Sequence, residues 1–212
     1  MQAPLEIQVA RELDFEAQRV DVLTKEILGH NYMKLMIRNL ELKEDFGALR
    51  SSLKAELDAF VGEQTKLIRI EGEGVGLVDA AFDGMMRAYG LEHISLASVS
   101  VDDFSISIKF RETQGLKSDA YAIALLRMRN SENHEFAFTY RTPSISQSSL
   151  AVVVDAIQFF INSERAFVQL HMAVEDAKSR GRSDLAERYQ QQMAVLVTAT
   201  SYKLVVDRLQ KK

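Results

Sequence analysis

The sequence contains no cysteine and no tryptophan, and among its 212 residues only two are proline and four are histidine. Without cysteine the chain has no disulfide, no thiolate metal site and no cysteine nucleophile, and a cytoplasmic location is expected. The scarcity of proline leaves room for long helices. No hydrophobic run reaches the roughly 20 residues of a membrane-spanning helix, and the first residues lack the basic and apolar regions of a secretory signal.

Neither sign of charge dominates the chain. Its 26 lysines and arginines against 30 aspartates and glutamates give a formal net charge of −4. This balance favours neither nucleic acid nor an anionic membrane as a partner. With 47% hydrophobic and 26% charged residues, the composition is typical of a globular protein that is large enough to bury a core.

Motifs that carry catalysis or bind metals are missing as well. The sequence has no phosphate-binding loop, no nucleophile elbow and no H-E-x-x-H zinc motif. His171 and Glu175 lie one helical turn apart, but they supply only two ligands, and a solvated pair is the favoured interpretation. Asp102 and Asp103 are adjacent, so in a strand they should point to opposite faces and cannot act together. We therefore predict no catalytic residue, no metal site and no cofactor.

The N-terminal segment, residues 1–64, is predicted to be mainly helical. Its apolar residues recur every three or four positions, as in Val20, Leu23 and Ile27 and again in Leu49, Leu53, Leu57, Phe60 and Val61. Gly29 and Gly47 are the predicted breaks between these helices. The stretch LEIQV near the start is compatible with a short strand instead.

The rest of the chain predicts two sheet-and-helix units in series, over residues 65–165, and a helical hairpin over residues 166–212. Strands are predicted at 66–70, 94–101, 104–110, 120–129 and 135–140. One unit ends in a helix over 77–89, and the other in a long helix capped by Ser144 or Ser146. That helix should turn at SRGRS (179–183) and return as one helix. The expected fold class is α+β.

Glycines crowd the segment IEGEGVGLVDAAFDG, which begins at Ile70 and leads from a predicted strand into a predicted helix. Glycine at such a place either permits a sharp turn or lets a ligand approach the helix N-terminus, whose free N–H groups bind anions. On the residues alone the turn is the favoured interpretation. The second helix start, TPSISQSS at 142–149, offers the same choice between serine caps and ligand contacts.

Several segments resemble the C-terminal regulatory domain of 2-isopropylmalate synthase and citramalate synthase. GVGLVDAAF at 74–82 resembles the G-x-G-P-V-D-A segment of that domain. In the same order, DFSI at 103–106 is similar to its D-Y-x-V strand, GLKSDA at 115–120 to its G-T-x-A turn, and SISQSSL at 144–150 with VDAI at 154–157 to its N-I-I-E-A-S-W segment and the D-S-I that follows. Leu77, Phe104 and Leu150 replace the proline, tyrosine and tryptophan of these motifs.

The resemblance covers about residues 65–165 and implies two βββα-type units that dimerise. It also implies that leucine or isoleucine binds near the dimer interface and inhibits a catalytic TIM barrel upstream in the same chain. The catalytic and metal-binding residues of the family belong to that barrel. Such a barrel takes about 200 residues or more, whereas 64 residues precede the resemblance here, so none of those residues is expected.

The expected function is that of a non-catalytic, homodimeric regulatory-type domain that binds a small branched-chain amino acid. Backbone N–H groups at the two helix starts would bind the carboxylate, and a strand between them would bound the side chain. The expected effector-binding residues are Gly74, Gly76, Leu77, Val101, Phe104, Ile106, Ser146, Gln147 and Ser148. The alternatives are a dimeric scaffold without a ligand, whose C-terminal helices contact a protein partner, and a separate regulatory subunit of such a synthase.

Overall fold

Apolar residues that alternate, or recur every three to four positions, organise the chain into two similar units. The computed structural model describes residues 5–110, 120–199 and 202–210. Each unit is a three-stranded antiparallel sheet whose strands are neighbours in sequence order, and a helix follows each sheet. The predicted α+β class is thereby confirmed, as is the series of two sheet-and-helix units.

Helix α1 (Leu5–Leu28) precedes the first unit. Sheet A consists of β1 (Lys34–Asp45), β2 (Arg50–Val61) and β3 (Gln64–Gly74), and it leads into α2 (Leu77–Tyr89). Sheet B consists of β4 (Ser100–Phe110), β5 (Ala120–Arg129) and β6 (Glu135–Thr142), and it leads into α3 (Ile145–Ser179). Helices α4 (Ser183–Val197) and α5 (Tyr202–Gln210) follow. Of the predicted GLKSDA turn at 115–120, all residues except Ala120 lie outside the described residues.

The N-terminal segment is only partly helical. Helix α1 ends before Gly29, as predicted, but residues 34–61 form β1 and β2, so the helix predicted over the second stripe of apolar residues is wrong. A spacing of four fits a strand as well as a helix, because four is a multiple of the two-residue period of a strand. The buried side chains of β2 are Ser51, Leu53, Ala55, Leu57 and Ala59. Because Ser51, Ala55 and Ala59 are small, the alternation of buried and exposed residues in β2 is hard to recognise in the sequence.

A β-bulge obscures the alternation of β1. Leu35, Ile37, Leu40 and Leu42 all lie opposite buried residues of β2. In a regular strand Ile37 and Leu40 would point to opposite faces, because an odd number of positions separates them. The register shift between Ile37 and Asn39 accommodates the extra residue. The first sheet-and-helix unit therefore begins at β1 and not near residue 65.

The strand predicted over 94–101 is wrong in its first half. Residues Ile94–Ser98 form a 3-10 helical turn, and β4 begins only at Ser100. The Leu96 N–H donates to the His93 carbonyl oxygen at 3.1 Å, and the Val99 N–H donates to that of Leu96 at 3.3 Å. These short-range bonds replace strand pairing and direct the chain from α2 towards sheet B.

The C-terminal hairpin is confirmed, but its returning arm is broken into two helices. After α3 the chain turns at Gly181, which has a left-handed φ of +68°, and α4 packs back against α3. The Thr198 hydroxyl donates to the Val195 carbonyl oxygen at 3.0 Å, and Asn130 donates to the Thr198 carbonyl at 2.8 Å. The Thr198 carbonyl, at the end of α4, is thus bonded to a side chain instead of to a helical N–H. The final segment forms the separate helix α5.

The glycine segment is first of all a packing device. A Cβ atom on Gly72 would collide with the carbonyl oxygen of Ala80 and lie 2.6 Å from the Gly84 nitrogen, so β3 and α2 touch backbone to backbone. A Cβ on Gly74 would lie 2.7 Å from the Ala80 nitrogen. Gly76 is different, because nothing lies within 4 Å of its Cβ position and its φ of −165° is ordinary extended backbone.

Two carboxylates of α2 fix the turn that the glycines allow. Asp79 accepts the Val75 N–H at 3.0 Å, and Asp83 accepts the Glu73 N–H at 2.9 Å. Asp83 also pairs with Arg87, one helical turn further along α2, at 2.9 Å. The acidic face of α2 is therefore not simply solvated, since it binds the end of β3.

Helix α3 forms the centre of the core and connects the two units. Its phenylalanines 159 and 160 pack against Phe136 and Phe138 of β6 with ring centroids 5.3–6.1 Å apart. On the side facing sheet A, the fully buried Asn162 accepts the Met33 N–H at 2.9 Å and donates to the Met33 carbonyl at 2.8 Å. Contrary to the expectation from the sequence, α3 is by length and composition apolar enough to span a membrane, but most of that stretch is buried inside the protein.

The glycine contacts predict a clear difference between two alanine variants. Gly72→Ala should lower the free energy of unfolding by about 1–3 kcal/mol, because the new methyl group pushes α2 away from β3. Gly76→Ala should change it by less than about 0.5 kcal/mol, since the position is open and the weaker N-cap is offset by a less flexible unfolded chain. Urea unfolding of both variants measures the difference, and equal losses would contradict this account.

Candidate functional site

The predicted effector-binding residues lie at three separate places. Gly74, Gly76 and Leu77 form the turn between β3 and α2, whereas Ser146, Gln147 and Ser148 form the first turn of α3. Val101, Phe104 and Ile106 lie on the face of sheet B that also carries Met128, Leu126 and Ala124. Among the nine, Gln147 alone borders a cavity described below. The two helix starts belong to different sheet-and-helix units.

Hydrogen bonds inside the protein already use several groups at the two helix starts. The Ser144 hydroxyl caps α3 by accepting the Gln147 N–H at 3.3 Å, which decides between the two predicted caps. The buried Ser148 hydroxyl bonds to the Thr142 N–H at 3.0 Å and the Ala122 carbonyl at 3.1 Å. Its side chain ties α3 to sheet B. Whether a ligand binds at either helix start stays a prediction.

A cavity of about 530 Å³ lies between the end of α1, the loop after α2, the middle of α3, and α5. This volume is in the usual range for small-molecule sites. Leu28, Ile94, Val168, Met172 and Val205 provide its apolar wall. The polar side chains at its border are those of Asn31, Glu92, His93, Glu164, Arg165, Gln169 and Arg208. We call it the Arg165 cavity.

Glu164 anchors one side of the Arg165 cavity. Its carboxylate is buried, accepts the Ser95 N–H at 2.7 Å and lies 3.7 Å from Nδ1 of His93. Burial raises the pKa of Glu164, but the hydrogen bonds from His93 and Ser95 outweigh this effect and hold the pKa below its ordinary value. Glu164 is therefore ionised at neutral pH and fixes the 3-10 turn against α3.

Arg165 supplies the positive charge. Its guanidinium is half-buried and donates to Oδ1 of Asn162 at 3.1 Å, and no described carboxylate forms an ion pair with it. Burial lowers the pKa of Arg165, but a guanidinium keeps its proton at neutral pH. A half-buried guanidinium with one neutral partner retains unused donors that suit a carboxylate in a bidentate arrangement.

The Arg165 cavity therefore offers three complementary chemical groups. Arg165 can bind a carboxylate, the carboxylates of Glu92 and Glu164 can attract an ammonium group, and the apolar wall can cover an aliphatic side chain. None of these residues is among those predicted from the sequence. A signal is present nonetheless, because Glu164 and Arg165 are adjacent charges inside the long apolar pattern of α3, where a charge without a role is costly.

A smaller polar cavity of about 240 Å³ lies between α1, β6 and α3, and Asp155 also borders the neighbouring cavity of about 290 Å³ beside β1. The pKa of Asp155 is raised to about 6 by burial and, secondarily, by the charge of Asp21. Asp21 is held by Lys25 at 2.6 Å and by the Tyr32 hydroxyl at 2.7 Å. The two acids of this cavity thus differ in environment, and the Lys25 and Tyr32 side chains of its lining are both bonded to Asp21.

The expected separation of Asp102 and Asp103 is wrong. A register shift between Val101 and Asp103 inserts a bulge, and the two carboxylates pair with Arg129 and Arg127, each at 2.7 Å. These arginines share one face of β5. Arg127 binds Asp103, whereas Arg129 is shared between Asp102 and Glu135, which lies 2.9 Å away.

Within the described ranges, no group of three or more histidine, aspartate or glutamate side chains is placed to hold a metal ion. Glu175 is bonded to Lys178 at 2.9 Å, which fits the solvated interpretation of its pairing with His171. No protein-family model matches the chain.

Asp155 should make stability depend on pH. Its pKa rises from 3.8 to about 6 on folding, so its contribution is most favourable below pH 3.8 and is lost as the pH rises through 6. Asp155→Asn should therefore raise the free energy of unfolding at pH 8 relative to the wild type by up to about 3 kcal/mol, and much less at pH 4.

Urea unfolding at both pH values measures this difference, with Glu187→Gln on the exposed face of α4 as the control. The control substitution should change the free energy of unfolding by the same amount at pH 8 and at pH 4. A pH-independent effect of Asp155→Asn would contradict the prediction.

Proposed function

We propose that the chain is a non-catalytic, homodimeric regulatory-type module and that the Arg165 cavity binds the zwitterion of a small branched-chain amino acid. The observation that carries the proposal is Arg165, a half-buried guanidinium without a described carboxylate partner beside an apolar wall. The positive charge of Arg165 favours the α-carboxylate, whereas the carboxylates of Glu92 and Glu164 favour the ammonium group. The apolar wall formed by Leu28, Ile94 and Val168 favours an aliphatic side chain.

The arrangement of the fold supports a regulatory rather than a catalytic role. The resemblance implies two βββα units in series, and β1–β3 with α2 followed by β4–β6 with α3 have that order. Two acids of the described cavities are bound into structural contacts, Glu164 by the Ser95 N–H and His93 and Asp21 by Lys25 and Tyr32. A module of this kind responds to the ligand by changing its conformation or its contacts with a partner protein.

Calorimetry with leucine, isoleucine and valine tests the ligand. One of them should bind the wild type with millimolar or tighter affinity, and Arg165→Met should weaken binding about tenfold or more, because the charge-assisted hydrogen bonds are lost while the apolar stem is kept. Arg188→Met, on an exposed part of α4, is the matched control and should bind as the wild type does. Leucinamide, which lacks the carboxylate, should bind weakly to all three proteins.

Absence of heat from the wild type with all three amino acids, up to several millimolar, would leave the chain as a scaffold. Binding that is unchanged by Arg165→Met would remove the ligand from this cavity and favour the predicted helix starts. Co-purification of a synthase barrel would instead support the separate regulatory subunit.

The proposed homodimer rests on an apolar row that one copy leaves partly uncovered. Helix α3 packs on β5 and β6, while Val101 and Ile108 on the same face of β4 are 36% and 48% exposed and Ile145 at the start of α3 is 49% exposed. Two-fold pairing of such rows is the commonest way to cover them.

Light scattering should therefore give about twice the 23.9 kDa mass of the chain. Ile108→Asp should shift the mass towards the monomer, because it places a charge in the apolar row. Leu91→Asp, at an exposed position away from sheet B, should leave the mass unchanged. A wild-type monomer at tens of micromolar would contradict the dimer.

A further inference from the structure

We propose that α5 is a lid over the Arg165 cavity, latched by Arg208, and that a ligand in the cavity holds this lid closed. The second half of the proposal rests on the proposed function, whereas the latch itself does not. Helix α5 borders the cavity through Val205, which is only 2% exposed, and through Arg208. When α5 leaves, one wall of the cavity is removed.

The attachment of α5 is local. It packs on the 3-10 turn Ile94–Ser98, and Arg208 donates to the carbonyl oxygens of Glu92 at 2.9 Å and Leu91 at 3.5 Å. Nine residues are too few for a helix that is stable by itself in water. The order of α5 therefore depends on Val205 and Arg208 remaining in place.

The latch and the cavity share one segment. Arg208 binds the Glu92 carbonyl, the side chains of Glu92 and His93 border the cavity, and Ser95 binds Glu164 through its N–H. A ligand held by Arg165 would contact Val205 only while α5 is closed. It would thus bind the closed state more tightly than the open state, which is the condition for shifting the population.

A thiol at position 205 measures the lid directly, because the chain has no cysteine of its own. In the full chain carrying Val205→Cys, the rate of reaction with an aromatic disulfide reagent reports how often α5 opens. Adding Arg208→Met should raise this rate about fivefold or more through loss of the latch hydrogen bonds. Adding Arg188→Met instead should leave it unchanged. Leu204→Cys, 42% exposed in the closed state, should react fast with or without the latch.

Leucine, isoleucine and valine are then added to the Val205→Cys protein at ten times the dissociation constant found by calorimetry. The amino acid that binds should slow the reaction about tenfold. Circular dichroism melting verifies that each variant is folded.

The lid would be disproved if the thiol of Val205→Cys reacted as fast as that of Leu204→Cys. It would also be disproved if adding Arg208→Met left the reaction rate of the Val205→Cys thiol unchanged. Binding by calorimetry without slowing of the thiol would overturn its coupling to the ligand. If none of the amino acids binds, the proposed function fails, and the Arg208→Met comparison still decides the latch.

Discussion

In the described part of the chain the two sheets share no strand, and a buried amide of α3 connects sheet A to the helix that packs on sheet B. Asn162 exchanges two hydrogen bonds with the backbone of Met33, and Gln158 accepts the Leu35 N–H at 2.7 Å, so the edge of β1 is bound by side chains instead of another strand. A buried backbone group without a partner costs about 1–3 kcal/mol. Polar groups of α3 therefore bind the β1 edge of sheet A, whose apolar side chains join the same core, while the phenylalanine packing holds α3 on sheet B.

The same amide positions the candidate site. Oδ1 of Asn162 accepts from the Met33 N–H and also from Arg165, at 3.1 Å. The guanidinium is thus oriented by the link between the two units, and Glu164 is oriented by the 3-10 turn on the other side. A charged group whose neighbours fix its direction loses little freedom when it binds a ligand. Fold and site depend here on adjacent residues of one helix.

The sequence predicted those elements whose pattern fits one period only. Helix α2 is bounded by glycines and has a stripe that a strand cannot produce, and its predicted bounds, 77–89, are confirmed. β2 was mistaken for a helix because its leucines are four apart and its other buried residues are small. Arg165 was not predicted as a site residue, since its role depends on partners more than 100 positions away in sequence, such as Met33 through Asn162.

The start of α2 and Arg165 differ in what the carboxylate of a ligand would have to displace. At the start of α2 the Val75 N–H already bonds the carboxylate of Asp79, so an effector carboxylate would meet a like charge there and would have to displace it from this N–H. At Arg165 the neighbouring acceptor is a neutral amide. A carboxylate there gains a charge-assisted pair in a partly desolvated place, where electrostatic attraction is stronger than in water. This difference is the physical reason for placing the proposed ligand on α3 and for regarding the glycines of the α2 turn as the means by which β3 and α2 pack.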